Sequence, residues 1–162
     1  TTYRYYTYGD FTAFIKDKAD GVLEGDILES SSSAPVKITD ITEILTPKGT
    51  SADLTFIIEV KVNEDDNEWL LSVDEISEGC GIPDVYYEPE IKARVYLDVF
   101  GRDVSCPDIK IEDGEGKTTC KMDVSLTAGD GTHITEYDAE GYVELEYGFR
   151  VIDGVGFSVV SA

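Results

Sequence analysis

The chain has 162 residues, and its 34 acidic and 13 basic residues give it a net charge of −21. This length fits one domain, and a hydrophobic content of 41% is enough to build a core. A strongly negative surface repels nucleic acid and anionic lipid, so neither is expected as a partner. No apolar run approaches the roughly 18 residues that a membrane helix needs, so no membrane insertion is expected.

The N-terminal segment "TTYRYYTY" contains four tyrosines among its eight residues. Side chains alternate between the two faces of an extended strand. Tyr6 and Tyr8 therefore share one face, and Tyr3 and Tyr5 share the other. A strand that is aromatic on both faces is expected to be covered on both. We therefore predict that residues 1–9 form a strand-like arm.

Two arrangements would cover such an arm. It can add to the chain's own sheet, or it can add to the sheet of a neighbouring copy through main-chain hydrogen bonds and side-chain pockets. In the second arrangement Gly9 and Asp10 would form the hinge between the arm and the body. Tyr3, Tyr5, Tyr6, Tyr8 and Phe11 are then the predicted subunit-interface residues.

The body of the chain, residues 10–162, is predicted to be a single all-β domain. Alternating or β-branched runs, separated by Gly/Asp-rich turns, predict strands at residues 36–45, 52–62, 90–100, 121–128, 142–153 and 154–161. Period-2 alternation indicates one buried face, which is typical of antiparallel sheets. About eight to eleven strands predict an antiparallel β-sandwich of Greek-key or jelly-roll type. Residues 72–79 are the best candidate for a short helix.

The three cysteines do not have the close spacing of a zinc site. A turn centred on Asp113 and Gly114 would place Cys106 and Cys120 nearly opposite each other across a hairpin. A disulfide there would indicate an oxidising compartment, whereas the alternative is two buried free thiols. Cys80 would be left over, either buried or bridging to a neighbouring subunit.

No sequence motif predicts catalysis. The chain has one histidine, His133, and lacks the nucleophile elbow, the phosphate-binding loop, the dinucleotide fingerprint and the zinc-protease motif. Carboxylates are so abundant that any two could be taken for an acid–base pair. We therefore predict that the protein is not an enzyme.

Acidic turns offer a different chemistry, because Ca²⁺ prefers oxygen ligands from loops that mix Asp, Gly and backbone carbonyls. Asp113, Glu115 and Asp130 are the candidate ligands, although their turns match no known calcium loop. No other cofactor is expected. Tyr86 and Tyr87 are candidates for a sugar-binding platform, but such aromatic residues more often cap a core.

These observations favour a non-enzymatic structural subunit of an extracellular filament or pilus, whose partners are copies of itself. Strand donation by the arm, repeated head to tail, would build a homopolymer at the cell surface. This is an architectural analogy with donor-strand pili, and no family motif supports it. The alternatives are a virion component, such as a capsid decoration or tail protein, and a secreted calcium- or glycan-binding module.

Overall fold

The computed structural model describes residues 2–16, 23–63, 68–72, 91–128, 130–132 and 136–151. Four features of the sequence analysis lie wholly or mostly outside these ranges: the predicted helix at 72–79, Cys80, His133 and the predicted last strand at 154–161. Tyr86 and Tyr87 also lie outside them.

The described residues form eleven strands, which agrees with the number that the sequence predicts. In chain order they are β1 (Thr2–Lys16), β2 (Leu23–Asp26), β3 (Leu28–Ser31), β4 (Val36–Lys48), β5 (Ser51–Val62), β6 (Glu68–Leu71), β7 (Ile91–Val99), β8 (Arg102–Val104), β9 (Ile109–Glu112), β10 (Glu115–Ser125) and β11 (Glu136–Val151).

All strand pairs are antiparallel, and they form one sheet in the order β2-β4-β5-β10-β9-β7-β11-β1-β3, with β6 on β11 and β8 on β7. β7 joins the strands around β9 to the strands around β11. The first residues of that strand, from Ile91 to Ala93, pair with β9. Its later residues, from Arg94 to Val99, pair with β11.

The two ends of the sheet meet, so the sheet is nearly closed into a barrel. β2 and β3 are separated only by Ile27, yet β2 pairs with β4 and β3 pairs with β1. The Ile27 N–H donates to the carbonyl of Ile41 at 2.9 Å. The Phe14 N–H of β1 donates to the Glu43 carboxylate of β4, also at 2.9 Å. We call this junction between β1 and β4 the seam.

The core fills the space that the sheet encloses. Buried apolar side chains come from alternating positions of β1, β4, β5, β7, β10 and β11, as the period-2 patterns predict. The Phe11 ring of β1 lies 5.6 Å from the Phe56 ring of β5, centroid to centroid. This contact across the interior shows that the inner faces of β1 and β5 point toward each other.

The prediction of an antiparallel all-β fold is confirmed. The arrangement of the strands as a two-sheet sandwich stays a prediction, because the described strands are hydrogen-bonded into one continuous sheet. Within this single chain, residues 2–9 follow the first of the two arrangements, since they pair with β11 of the same sheet. Gly9 and Asp10 lie inside the continuous strand β1, so they do not form a hinge here. Gly9 pairs with Val143 on one side and with Ser31 on the other.

Candidate functional site

β1 holds its odd-numbered side chains toward the core. Phe11, Ala13 and Ile15 are almost completely buried, and Thr7 is buried with them. The whole of β1 pairs with β11, from Thr2 opposite Arg150 to Lys16 opposite Glu136. β1 is therefore an integral strand of the barrel along most of its length.

A buried hydrogen-bonded triangle ties β1 to β11 and to the start of β4. The Thr7 hydroxyl donates to the Val36 carbonyl at 2.6 Å, and the Val36 N–H donates to the Tyr147 hydroxyl at 3.1 Å. Because Thr7 has used its only proton, Tyr147 donates its own to the Thr7 oxygen, 3.1 Å away. Burial raises the pKa of Tyr147, so its phenol stays protonated and keeps this role.

Tyr5 lies on the same side of β1, nearer the start of the strand. Its ring stacks on Tyr147 at 5.9 Å and meets Phe149 edge-on at 5.6 Å. Tyr5 is still 37% exposed, so it covers the end of the core.

The outer surface of β1, β11 and β7 carries a cluster of exposed aromatic side chains. Tyr6 and Tyr8 stack along β1 at 6.5 Å, and Tyr8 stacks on Tyr142 of β11 at 5.8 Å. Tyr6, Tyr8, Tyr142 and Tyr96 are 37%, 39%, 38% and 45% exposed. An aromatic cluster of this kind on an outer sheet surface often marks an interaction site.

Carboxylates alternate with these tyrosines because of the strand register. Tyr8 lies opposite Glu144, which lies opposite Tyr96. In the next outward row, Asp10 lies opposite Tyr142, which lies opposite Asp98. We call the outward-facing side chains of β1, β11 and β7 the tyrosine–carboxylate face.

Glu146 is the best-satisfied carboxylate of this face. It accepts from Arg4 at 3.1 Å, from Tyr96 at 3.1 Å and from Arg94 at 3.5 Å. Its side chain is almost fully covered, whereas both arginines are about half exposed. The three donors offset the cost of covering this charge.

Tyr142 lies between acidic neighbours. Partial burial, and then the negative charge of Glu144, raises the pKa of Tyr142 to about 12. The phenol therefore stays protonated and donates to Glu144 at 3.3 Å. An open groove of about 860 Å³ adjoins Tyr142 and is lined by Asp10, Glu29, Asp98, Asp138 and Glu140, among other residues.

The structure has the predicted disulfide, which joins Cys106 to Cys120. The turn between β9 and β10 is also as predicted, with Asp113 and Gly114 at φ values of 52° and 79°. Cys120 is fully buried in β10. The disulfide therefore fastens the segment before β9 to the body of the sheet.

The candidate calcium ligands do not come together. Asp113 and Glu115 lie at the first end of β10 and Asp130 follows its other end; the two ends of an eleven-residue strand are roughly 34 Å apart. Glu115 pairs with Lys61, and Asp130 accepts from the Thr132 N–H at 2.8 Å. Within the described ranges, no three His, Cys, Asp or Glu side chains form a group that could hold a metal ion.

The predicted interface residues divide between two environments. Phe11 is in the core and Tyr5 covers the end of it, whereas Tyr6 and Tyr8 lie on the outer face. The position of Tyr3 in β1 is described, opposite Phe149. Tyr96 and Tyr142 are not among the predicted interface residues, although both occupy the polar face of an alternating strand, where a large aromatic residue is unexpected.

Comparison of the chain with protein-family models, with curated proteins and with solved structures gives no match. Any function must therefore be argued from the chemistry of the surfaces described above. In the part of the chain that the structure describes, no helix is long and apolar enough to span a membrane.

Proposed function

We propose that this chain is a non-enzymatic structural subunit of an extracellular filament or pilus, and that β1 is exchanged between neighbouring copies. The observation that supports this proposal is the position of β1. It lies between β11 and β3, it pairs with β11 along its whole length, and its inward side chains fill the core. A strand with these properties can be supplied by another copy, because β1 of a neighbouring copy would make the same main-chain and side-chain contacts as β1 of the same chain.

The continuity of β1 supports exchange of the whole strand rather than of residues 1–9. β1 runs without interruption from Thr2 to Lys16, and the next described strand begins at Leu23. If the whole of β1 is exchanged, the chain leaves the neighbouring copy after Lys16. If each copy donates β1 to the next and receives one from the previous copy, the contact is heterologous and extends as a filament.

Two further observations agree with this proposal. The Cys106–Cys120 disulfide is of the kind that persists in oxidising environments, which supports an extracellular location. The exposed tyrosines of the outer face supply surface for contacts between neighbouring subunits.

Electron microscopy of the purified protein is the first test. We expect filaments whose width is set by one or a few subunits. Isolated particles at all concentrations and salt conditions would contradict the proposal.

Engineered disulfides test the exchange itself. Tyr8 and Phe14 direct their N–H groups away from β11, so even-numbered residues of β1 form the closer, non-hydrogen-bonded pairs with β11. Thr12 and Glu140 are such a pair on the outer face. In a Cys80→Ser background, Thr12→Cys with Glu140→Cys should link chains covalently and give a ladder on a non-reducing gel.

The matched control is Thr55→Cys with Lys121→Cys, a pair between β5 and β10. Both of these strands stay in the same subunit when β1 is exchanged, so this variant should remain a monomer on the gel. If the Thr12→Cys/Glu140→Cys variant forms filaments but also runs as a monomer on the non-reducing gel, the subunits assemble without exchanging β1.

A further inference from the structure

Two tyrosines from different strands stack on each other in the tyrosine–carboxylate face. Tyr8 of β1 lies opposite Glu144 of β11, whereas Tyr142 of β11 lies opposite Asp10, one outward row further along. Diagonal neighbours of this kind are within reach of aromatic side chains. The two rings are 5.8 Å apart, centroid to centroid, and 28° from parallel. Stacked rings at this distance are offset, so an edge of one ring lies next to the other ring.

Both rings are accessible to small molecules from solution. Tyr8 and Tyr142 are 39% and 38% exposed. Tyr142 also lines the open groove of about 860 Å³. An oxidant in solution can therefore reach this pair of tyrosines while the barrel stays closed.

A phenol that loses an electron to an oxidant also loses its proton, and Tyr142 has an acceptor for that proton in place. Its hydroxyl donates to the Glu144 carboxylate at 3.3 Å. Because the pKa of Tyr142 is raised to about 12, the protonated phenol is the form present at neutral pH. A carboxylate at this position can take the proton as the electron leaves, in the manner of a general base.

Two other exposed tyrosines provide a comparison, because each has only one of these two features. Tyr5 stacks on Tyr147 at 5.9 Å, but the Tyr147 hydroxyl is buried and donates to Thr7, which is not a base. Tyr96 donates to the Glu146 carboxylate at 3.1 Å, but its ring stacks on no other tyrosine within the described ranges. The pair of Tyr8 and Tyr142 combines a ring contact with a proton acceptor.

We propose that Tyr8 and Tyr142 form an oxidative cross-linking site, at which a haem peroxidase and hydrogen peroxide join the two rings by a carbon–carbon bond. Each phenol gives up one electron and one proton, and the two phenoxyl radicals couple at ring carbons next to the hydroxyl-bearing carbon. The hydrogens of those two carbons move to the oxygens, which restores both hydroxyl groups. The two electrons and two protons convert one hydrogen peroxide into two waters.

The cross-link fastens β1 to β11 and goes beyond the proposed function. It does not depend on strand exchange, because Tyr8 and Tyr142 stack whether β1 belongs to the same chain or to a neighbour. A bond between residues far apart in the sequence also restricts the unfolded chain, as a disulfide does. The linked protein should therefore unfold at a higher urea concentration than the unlinked protein.

Limited oxidation of the dilute protein is the direct test. A Cys80→Ser background removes a thiol that competes for the oxidant. After treatment with horseradish peroxidase and one equivalent of hydrogen peroxide, trypsin should release residues 5–16 joined to residues 122–150, lighter by two hydrogen atoms than the two peptides together. Unfolding in urea before oxidation should lower the yield of this product by about tenfold or more, because the alignment of the rings is lost.

Matched variants assign the bond to its residues. Tyr8→Phe and Tyr142→Phe keep the rings but cannot form a phenoxyl radical, so each should lower the yield by about tenfold or more. Tyr5→Phe and Tyr96→Phe are the controls and should stay within about twofold of the parent protein. Glu144→Gln keeps a hydrogen-bond acceptor but not a base, so the link should form at least about threefold more slowly.

Three results would overturn parts of this inference. A yield that survives Tyr8→Phe or Tyr142→Phe, or that is lost in Tyr5→Phe, would show that other tyrosines are joined. A main product confined to residues 5–16 would mean that Tyr6 couples with Tyr8 instead. Equal rates for the parent protein and Glu144→Gln would show that Glu144 does not accept the proton.

The outcomes also separate this inference from the proposed function. If oxidation joins Tyr8 to Tyr142 between chains in filaments, both are supported. If the bond forms only within single chains, even in filaments, the cross-linking site stands and strand exchange is wrong. If the Thr12→Cys/Glu140→Cys variant links chains but oxidation does not join Tyr8 to Tyr142, the cross-linking site alone is wrong.

Discussion

Gly141 shows how strongly one residue position can be constrained within this barrel. It lies opposite Phe11 in the register of β1 and β11, and the Phe11 ring occupies the space where a side chain would begin. A Cβ atom at this position would overlap three carbons of that ring. The large, fully buried Phe11 and the small Gly141 are therefore complementary in shape.

We predict that Gly141→Ala destabilises the protein by about 1–3 kcal/mol, because the ring has to move within a packed core. Chemical denaturation measures this change. Gly25→Ala is the matched control, since Gly25 is an exposed strand residue with nothing within 4 Å of its Cβ position. In a Phe11→Ala background the cost of Gly141→Ala should disappear, and a cost that persists there would contradict the steric explanation.

The tyrosines illustrate which residue-level features sequence can predict. Alternation alone assigns Tyr6 and Tyr8 to one face of β1 and Tyr5 to the other, and the structure agrees. Alternation cannot predict that Tyr142 stacks on Tyr8, because that contact depends on a register between strands more than 130 residues apart. The outer cluster as a whole was therefore not predictable from local patterns.

At the level of strands, the β9–β10 hairpin was the most predictable element. Its turn residues, Asp113 and Gly114, have the positive φ values that these residue types tolerate best. The β7–β8 hairpin was missed, because Phe100 occupies the same left-handed region and an aromatic residue there gives no turn signal. Gly101 follows Phe100, and its N–H donates to Asp98.

The disulfide at the β9–β10 hairpin gives the prediction at this scale. It joins residues 14 apart, and closing a loop of about 15 residues in the unfolded chain stabilises a fold by about 3 kcal/mol. We expect a reducing agent to lower the free energy of unfolding by about 2–3 kcal/mol. Urea titrations with and without the reductant measure this effect.

The control for that experiment is Cys106→Ala with Cys120→Ala. This variant should already have the lower stability, and the reductant should leave it unchanged. Wild-type stability that does not respond to the reductant would show that the bond contributes nothing to the fold.

At the level of the whole molecule, the seam closes the sheet, and no local pattern predicts it. Two sets of contacts join β1 to β4 there. The first is the buried triangle of Thr7, Val36 and Tyr147. The second is the bond from the Phe14 N–H to Glu43. Glu43 occupies an inward position between Ile41 and Leu45, where the strand pattern would predict an apolar residue.

Glu43 makes the seam sensitive to pH. It is only 5% exposed, and one of its carboxylate oxygens has no hydrogen-bond partner. Its register partners on β2 and β5 are Gly25 and Phe56, and neither of these can balance a negative charge. Burial raises the pKa of Glu43 from 4.5 to about 7, although the Phe14 N–H acts in the opposite direction.

This shift in pKa determines how the stability should change with pH. The folded state holds the Glu43 proton more tightly than the unfolded state. Ionisation of Glu43 therefore does not lower the free energy of unfolding below about pH 4.5. As the pH rises from about 4.5 to about 7 the unfolded chain ionises first, and the fold loses up to about 3 kcal/mol. Above pH 7 the loss is complete and constant.

Glu43→Gln isolates this effect, because the amide keeps an acceptor for Phe14 and cannot ionise. We expect the variant to match the wild type at pH 4.5 and to be more stable by up to about 3 kcal/mol at pH 8. Exposed Glu140→Gln is the control and should follow the wild type at both pH values. If β1 is exchanged between copies, the seam must open first. The wild type should then assemble faster at pH 8 than at pH 5, whereas Glu43→Gln should assemble at the same rate at both pH values. Equal stabilities of Glu43→Gln and wild type at pH 8 would mean that the Glu43 carboxylate is solvated in the folded protein and that the seam does not respond to pH.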